Sequence, residues 1–204
     1  MNACFCFLLV PWSPCRAGSG GSSSLRVAAS ALGYFMFHLV LGGARSGKSR
    51  YAETLAKQQQ QPVVYVATAQ IRDAEMQNRV DRHQADRPTH WATVEVTIDL
   101  PKAIREHRQP GQCVLVDCLT LWMMSLLEAN AIEQGVDDLL DAIAQTQGPL
   151  VLVSNEITLG VVPMGELSRR YVDELGRLHQ RIAAVASHVT LMIAGIPMSV
   201  KQPN

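Results

Sequence analysis

Neither sign of charge is in excess in this chain: Lys and Arg total 18, Asp and Glu total 18, and the formal net charge is zero. The basic footprint of a nucleic-acid-binding protein is missing, so a polyanion is not the expected partner. Long apolar runs are missing as well. None reaches the roughly 20 residues that a membrane-spanning helix needs, and no span is expected. Cysteine is scarce, with five in 204 residues. Cys4, Cys6 and Cys15 lie near the start, and Cys113 and Cys118 flank an apolar run, which is no disulfide framework. Reduced thiols in a cytoplasmic protein are the expectation. The Asn-Lys-x-Asp signature of guanine-specific switch proteins and the His-Arg-Asp signature of protein kinases are both absent, which disfavours those two classes. His38, His90, His107, His179 and His188 show no metal-ligand spacing.

What the chain does have is Gly42-Gly43-Ala44-Arg45-Ser46-Gly47-Lys48-Ser49, a match at every fixed position to the phosphate-binding pattern G-x-x-x-x-G-K-[ST]. An apolar run, His38 to Leu41, leads in as a buried strand, and Ser49 to Lys57 leads out as a helix. That context separates the motif from a glycine-rich turn with a chance Lys-Ser. The glycines allow a tight turn whose N–H groups converge on phosphate oxygens, aided by the helix N-terminus. Lys48 is the cation for the β- and γ-phosphates, and the Ser49 hydroxyl is a ligand for the Mg²⁺ that bridges them. The chain is expected to bind a nucleoside triphosphate.

Beyond the loop, strands and helices alternate. Strands are expected at Pro62–Ala67, Trp91–Val96, Cys113–Asp117, Pro149–Ser154 and His188–Ala194. Helices are expected at Asp73–Arg87, from an Asp99 cap to about Arg108, over Leu119–Gln147, and over Gly165–Ser187. Six β-rich runs, several uninterruptedly apolar, predict an α/β domain of the P-loop NTPase class: a mainly parallel sheet with helices on both faces. The 48% hydrophobic composition is ample for one core. Residues 1–35 fit none of this. Met1–Val10 is apolar, Ala17–Ser24 is a Gly/Ser tract, and the start lacks the basic region of a signal peptide. They are expected to be an extension outside the fold, disordered or non-native, with residues 36–204 forming the domain and Met36 as the functional start.

In parallel α/β sheets ligands sit beyond the carboxyl ends of the strands, and four such ends stand out. The phosphate loop is the first. Val114-Leu-Val-Asp117 is the second, an apolar run ending in a carboxylate that, beside a phosphate loop, points to Mg²⁺ or nucleotide. Ser154-Asn155-Glu156 is the third, balanced between a site and a loop that caps the next helix. Ala67-Thr68-Ala69 is the fourth, small residues that admit a ligand or simply tolerate a turn. On the helix expected at 73–87, Met76, Val80, His83 and Arg87 share a stripe, with Arg79 one turn before His83. From spacing alone His83 reads as a solvated or packed histidine. Two flanking arginines make the strip suited to phosphate, and they favour the neutral imidazole, which is nucleophilic.

Five blocks in order, Gly42–Ser49, Arg79-Val-x-x-His83-x-x-x-Arg87-Pro88, Val116-Asp-Cys-Leu-Thr120, Asn155-Glu-x-x-x-Gly-Val-Val-Pro163 and Ala194-Gly-Ile-Pro197, resemble the bifunctional adenosylcobinamide kinase / adenosylcobinamide-phosphate guanylyltransferase family of adenosylcobalamin biosynthesis. The resemblance runs from Met36 to about Lys201. It implies a RecA-like sheet and a homotrimer. It also implies phosphorylation of the aminopropanol hydroxyl of adenosylcobinamide by ATP or GTP, followed by transfer of GMP from GTP through a histidine. The matching histidine is His83. Ala67, Thr68, Ala69, Gln84, Ala85, Asp86, Arg87, Glu95 and Asp117 match nucleotide-contact positions, beside the loop residues Gly42 to Ser49. Ser49 and Asp117 match the Mg²⁺ side. Two residues depart from the pattern: Thr158 stands where a glycine is expected, and His179 where an Asn precedes Gln. The alternatives are a P-loop small-molecule kinase without nucleotidyl transfer, and a non-catalytic GTP-binding regulator.

Overall fold

Alternate side chains of each central strand go to opposite faces of the sheet, and in this chain both faces are apolar. In the computed structural model, which describes residues 36–69 and 88–203, Leu39, Val64, Val116 and Leu152 join one buried cluster. Val40, Tyr65, Leu115, Val151 and Val153 join another. That is why the strands read as continuous apolar runs rather than alternating ones.

In chain order the elements are β1 (Phe37–Gly42), α1 (Lys48–Gln58), β2 (Val63–Ala67), β3 (Ala92–Glu95), α2 (Leu100–His107), β4 (Cys113–Asp117), α3 (Leu119–Glu128), α4 (Ile132–Gln145), β5 (Leu150–Asn155), α5 (Glu166–Val185), β6 (His188–Ile193) and β7 (Ile196–Lys201). The sheet order is β3-β2-β4-β5-β1-β6-β7. All neighbours are parallel except β6 and β7, which form an antiparallel hairpin. Helices α2 to α5 cover the face of Leu39, and among the described residues α1 alone covers the face of Val40. The mainly parallel, two-sided sheet expected from sequence is what forms.

Three details differ from the sequence expectation. The helical stretch over Leu119–Gln147 is two helices, broken where Asn130 takes φ +53°. A seventh strand, β7, follows β6 through the two-residue turn Ala194-Gly195, with φ +51° and +83°; both residues left-handed is what a tight hairpin turn requires. Asp99 stands at the start of α2 but makes no side-chain capping bond. The helix expected at Asp73–Arg87 lies outside the described residues.

Buried Arg108 ties the layers together. Its Nε donates to the Gly148 carbonyl at 3.0 Å and its Nη1 to Ile143 at 2.8 Å, closing the last turn of α4 and the entry to β5. Its guanidinium lies 5.7 Å from the centre of the Phe37 ring. Burial lowers its pKa to about 10, so it remains charged at neutral pH. At the β7 edge of the sheet, Lys201 donates to the Ala183 and Ala184 carbonyls at 2.8 and 3.0 Å. These are last-turn carbonyls of α5, where a cation is favoured.

Candidate active site

Register alone lines up the carboxyl edge. Glu95 pairs with Ala67, Ala67 with Asp117, Asp117 with Val153, and Asn155 with Gly42. The row through Asp117 therefore runs Glu95, Ala67, Asp117, Val153 and Val40, and the paired Asn155 and Gly42 stand two residues further toward the carboxyl edge. Strand β5 lies between the phosphate-loop strand β1 and the Asp117 strand β4.

The loop leaves β1 at Gly42, whose φ is +154°. A Cβ there would sit 2.6 Å from Ser46 Oγ and 2.7 Å from the Met192 carbonyl oxygen, so only glycine fits. Gly43, Ala44 and Arg45 are exposed, Ser46 is buried, and Gly47 takes φ +93° just before α1. The Gly195 N–H donates to the Ser46 carbonyl at 3.0 Å, and the Glu156 N–H donates to the Gly42 carbonyl at 2.9 Å. The loop is thus fastened from both neighbouring strands.

Lys48 opens α1, is buried, and donates from Nζ to the Gly43 carbonyl at 2.6 Å. Burial lowers its pKa and the nearby Asp117 carboxylate raises it again. Asp117 in turn accepts a hydrogen bond at 3.1 Å from Tyr65. Thr68 is fully buried and holds the next peptide: its Oγ1 donates to the Cys118 carbonyl at 2.7 Å and accepts from the Cys118 N–H at 2.9 Å. Among the residues from Ala67 to Ala69, Thr68 is therefore a brace for the Asp117 turn, with the smaller residues on either side of it. Glu95 is exposed at the end of β3. Cys118 is no nucleophile in this setting, since burial and then Asp117 push its thiol up to about 11. Ser49 and Asp117 offer only oxygen, the donor type suited to Mg²⁺, which keeps most of its waters and arrives with phosphates. Among the described residues no group of three or more His, Cys, Asp or Glu forms a metal cage of its own.

His83, Gln84, Ala85, Asp86 and Arg87 lie outside the described residues, as does Arg79. A cavity of about 470 Å³ between α4 and α5 contains none of the strand-end residues. Two of its arginines are committed to carboxylates: Arg177 to Glu174 at 2.7 Å and Arg181 to Asp137 at 2.6 Å.

One cluster was not foreseen. At the end of β5, Ser154 Oγ lies 2.8 Å from His179 Nε2 and 3.3 Å from Thr120 Oγ1. Thr120 Oγ1 also accepts the Asn155 N–H at 2.8 Å, and its carbonyl accepts from Tyr171 OH at 2.8 Å. Glu156 Oε1 accepts from Thr158 N at 2.6 Å and Thr158 Oγ1 at 2.5 Å. His179 Nδ1 is buried without a hydrogen-bond partner, 3.7 Å from Glu156 Oε2. Burial lowers the pKa of His179, outweighing the opposing pull of Glu156, so the 3.7 Å approach is between a neutral ring and a carboxylate. Thr158 and His179, the two departures from the family pattern, thus meet at one carboxylate. Thr158 lies within the block Asn155–Pro163 and His179 far beyond it on α5, so no local signal in the sequence joined them.

Residues 38–200 match the family described as cobinamide kinase / cobinamide phosphate guanyltransferase. The chain is 50% identical over 169 residues to the bifunctional adenosylcobalamin biosynthesis protein CobP of Pseudomonas aeruginosa, covering 81% of this chain and 98% of that protein. It is 39% identical over 182 residues to the bifunctional adenosylcobalamin biosynthesis protein CobU of Salmonella typhimurium, covering 81% of this chain and all of that protein. Among solved structures, a Pyrococcus horikoshii OT3 protein superposes with a TM-score of 0.51 at 9% identity, covering 83% of this chain and 87% of that one. That likeness concerns the fold alone.

Proposed function

Because the chain belongs to the cobinamide kinase / cobinamide phosphate guanyltransferase family, we propose that residues 36–204 are the catalytic domain and that two sets of residues divide its two reactions. The protein is a bifunctional adenosylcobinamide kinase and adenosylcobinamide-phosphate guanylyltransferase of adenosylcobalamin biosynthesis. Residues 1–35 lie outside the domain in this reading.

In the kinase half, the N–H groups of Gly42 to Ser49 hold the triphosphate of ATP or GTP, and Lys48 turns from the Gly43 carbonyl to the β- and γ-phosphates. Ser49 and Asp117 would hold Mg²⁺, which would supply positive charge to offset that of the phosphates. The aminopropanol hydroxyl then attacks the γ-phosphorus and the nucleoside diphosphate leaves. In the transfer half, neutral His83 attacks the α-phosphorus of GTP and pyrophosphate leaves. The phosphate made in the first half then displaces His83 to give adenosylcobinamide-GDP. Two single displacements replace one between two anions, the usual advantage of covalent catalysis. Arg79 and Arg87, four residues to either side of His83, offset charge on the phosphorus oxygens. Ala67, Ala69, Gln84, Ala85, Asp86 and Glu95 complete the nucleotide contacts, with Thr68 behind them.

What carries this reading is the buried Lys48 at the start of α1, within electrostatic reach of Asp117, in a chain of this family. The homotrimer follows from the family resemblance. The free thiols of Cys113 and Cys118 fit a reducing, cytoplasmic setting, and among the described residues no helix is long and apolar enough to cross a membrane. Incubation with α-labelled GTP, Mg²⁺ and adenosylcobinamide tests the scheme. Label passing through protein into the corrinoid product is the expected result. A phosphorylated product with no labelled protein would leave a simple kinase, and bound but unconsumed GTP would leave a regulator.

A further inference from the structure

Proton removal from the acceptor hydroxyl has no assigned group in the scheme above. Asp117 is tied to Tyr65 and to the Lys48 side of the edge. Glu156 is the next carboxylate along the same edge. It follows directly on β5, and its N–H is bonded to the Gly42 carbonyl at 2.9 Å, so its backbone is fixed against the start of the phosphate loop. Its side chain is held in a built socket. Both donors of Thr158 occupy Oε1, at 2.6 and 2.5 Å. Among the described residues Oε2 has no hydrogen-bond donor; it lies 3.7 Å from His179 Nδ1, which is buried and without a hydrogen bond. His179 is itself held from behind by Ser154 at 2.8 Å. Among the described residues one oxygen thus accepts two hydrogen bonds and the other none, with the carboxylate only 12% exposed.

The chain that follows presents an open apolar surface. Leu159, Val161, Val162, Met164 and Leu167 are 79%, 96%, 70%, 96% and 65% exposed. Five large apolar side chains left open within nine residues is more than scattered surface hydrophobicity. Arg169 fastens this loop by donating to the Pro163 and Met164 carbonyls.

We propose that Glu156 receives the acceptor hydroxyl in the kinase step and takes its proton, with Thr158 and His179 as positioning residues that leave Oε2 free for it. As the hydroxyl oxygen forms its bond to the γ-phosphorus, the bond from that phosphorus to the β,γ-bridging oxygen breaks. The diphosphate departs with that electron pair, and the hydroxyl proton passes to Oε2. This rests on the kinase half of the proposed function, and the test separates the two.

Glu156→Gln keeps the shape and the Thr158 contacts of one oxygen but cannot take a proton. Each half-reaction is assayed alone: adenosylcobinamide with ATP for the kinase, adenosylcobinamide phosphate with GTP for the transfer. The expected result is a kinase kcat reduced on the order of 10² to 10⁴ relative to the transfer rate, the usual range for a positioned proton acceptor. Glu156→Asp, which retains a carboxylate, is expected to recover at least tenfold over Glu156→Gln. GTP affinity and melting temperature report whether either variant is merely misfolded. A kinase-to-transfer ratio within threefold of wild type in Glu156→Gln overturns the proposal, as does an aspartate variant no better than the glutamine one. Should Glu156→Gln not fold, the aspartate variant decides alone: wild-type kinase KM with kcat lowered supports the assignment, and an unchanged kcat overturns it. Absence of kinase activity in the wild type would instead overturn the kinase half of the function itself.

Discussion

The N–H of Gly195 donates to the carbonyl of Ser46 at 3.0 Å, so the turn between β6 and β7 is fastened to the phosphate loop. Gly195 takes φ +83°, with open space where a Cβ would stand. The cost of a side chain is therefore backbone strain rather than collision. Gly195→Ala should lower stability by about 1 kcal/mol and weaken GTP binding a few-fold. Gly195→Asn, a residue that tolerates the left-handed region, should lose less of both. Melting curves and GTP titrations of the two variants check this ordering, and equal losses would show that the turn does not report on the loop.

Lys48 is the next test. Removing a charge-assisted contact to phosphate typically costs about 1.5–3 kcal/mol in binding, and more in a phosphoryl-transfer transition state. Lys48→Ala should thus weaken GTP binding by roughly 10- to 100-fold and lower kinase turnover by roughly 10²–10³. Taking a buried cation out of a low-dielectric site should leave the fold as stable or slightly more so. Near wild-type turnover in this variant would defeat the assignment of the loop.

His38 gives a pH signature unrelated to activity. It stacks on His188 with centroids 5.1 Å apart, bonds Thr190 at 2.8 Å, and is held near pKa 4 by burial and by His188. The unfolded chain restores a value near 6.5. Below 6.5 the unfolded state binds the proton that the folded state refuses, so stability is full above 6.5 and declines as pH falls toward 4. The decline totals about 3 kcal/mol for a shift of this size. Denaturant midpoints measured from pH 7.5 to pH 4 should fall less steeply in His38→Gln than in wild type. Parallel curves would mean that His38 does not govern this decline.

His83→Ala and His83→Asn should abolish labelling of the protein by α-labelled GTP and transfer to adenosylcobinamide phosphate. In the wild type the label should be lost in acid and kept in alkali, as an N–P bond requires. Peptide mass spectrometry should place one GMP on the segment holding His83. Finding it on His90 or on a lysine would sink the assignment.

How much of this was readable in the chain depends on how local the cause is. The phosphate loop was legible because Gly42, Gly47, Lys48 and Ser49 act within eight consecutive residues, and the apolar strand and helix beside them are local too. The parallel sheet was legible because burial on both faces leaves continuous runs such as Cys113–Val116. Strand β7 was not, since Pro197 interrupts its run and a proline in a strand is tolerated only at an edge, a position the sequence does not reveal. The break at Asn130 was hidden because Ala129-Asn-Ala131 carries neither glycine nor proline. The Ser154, Glu156 and His179 cluster was hidden for another reason: its members come from β5 and α5, 25 residues apart, and only packing brings them together.

The position of β5 between β1 and β4 makes the edge a fixed-width gauge. Two strand spacings, roughly 9–10 Å, separate the start of the phosphate loop from the Asp117 strand. Backbone hydrogen bonds set that width, and no side-chain rotation alters it. The reach of residue 117 must match it: a glutamate there would project roughly 1.5 Å further toward Lys48 and compress the space left for a hydrated divalent ion. Selection on this edge therefore acts on side-chain length as well as on charge, and Asp117 and Lys48 are expected to vary, if at all, as a pair.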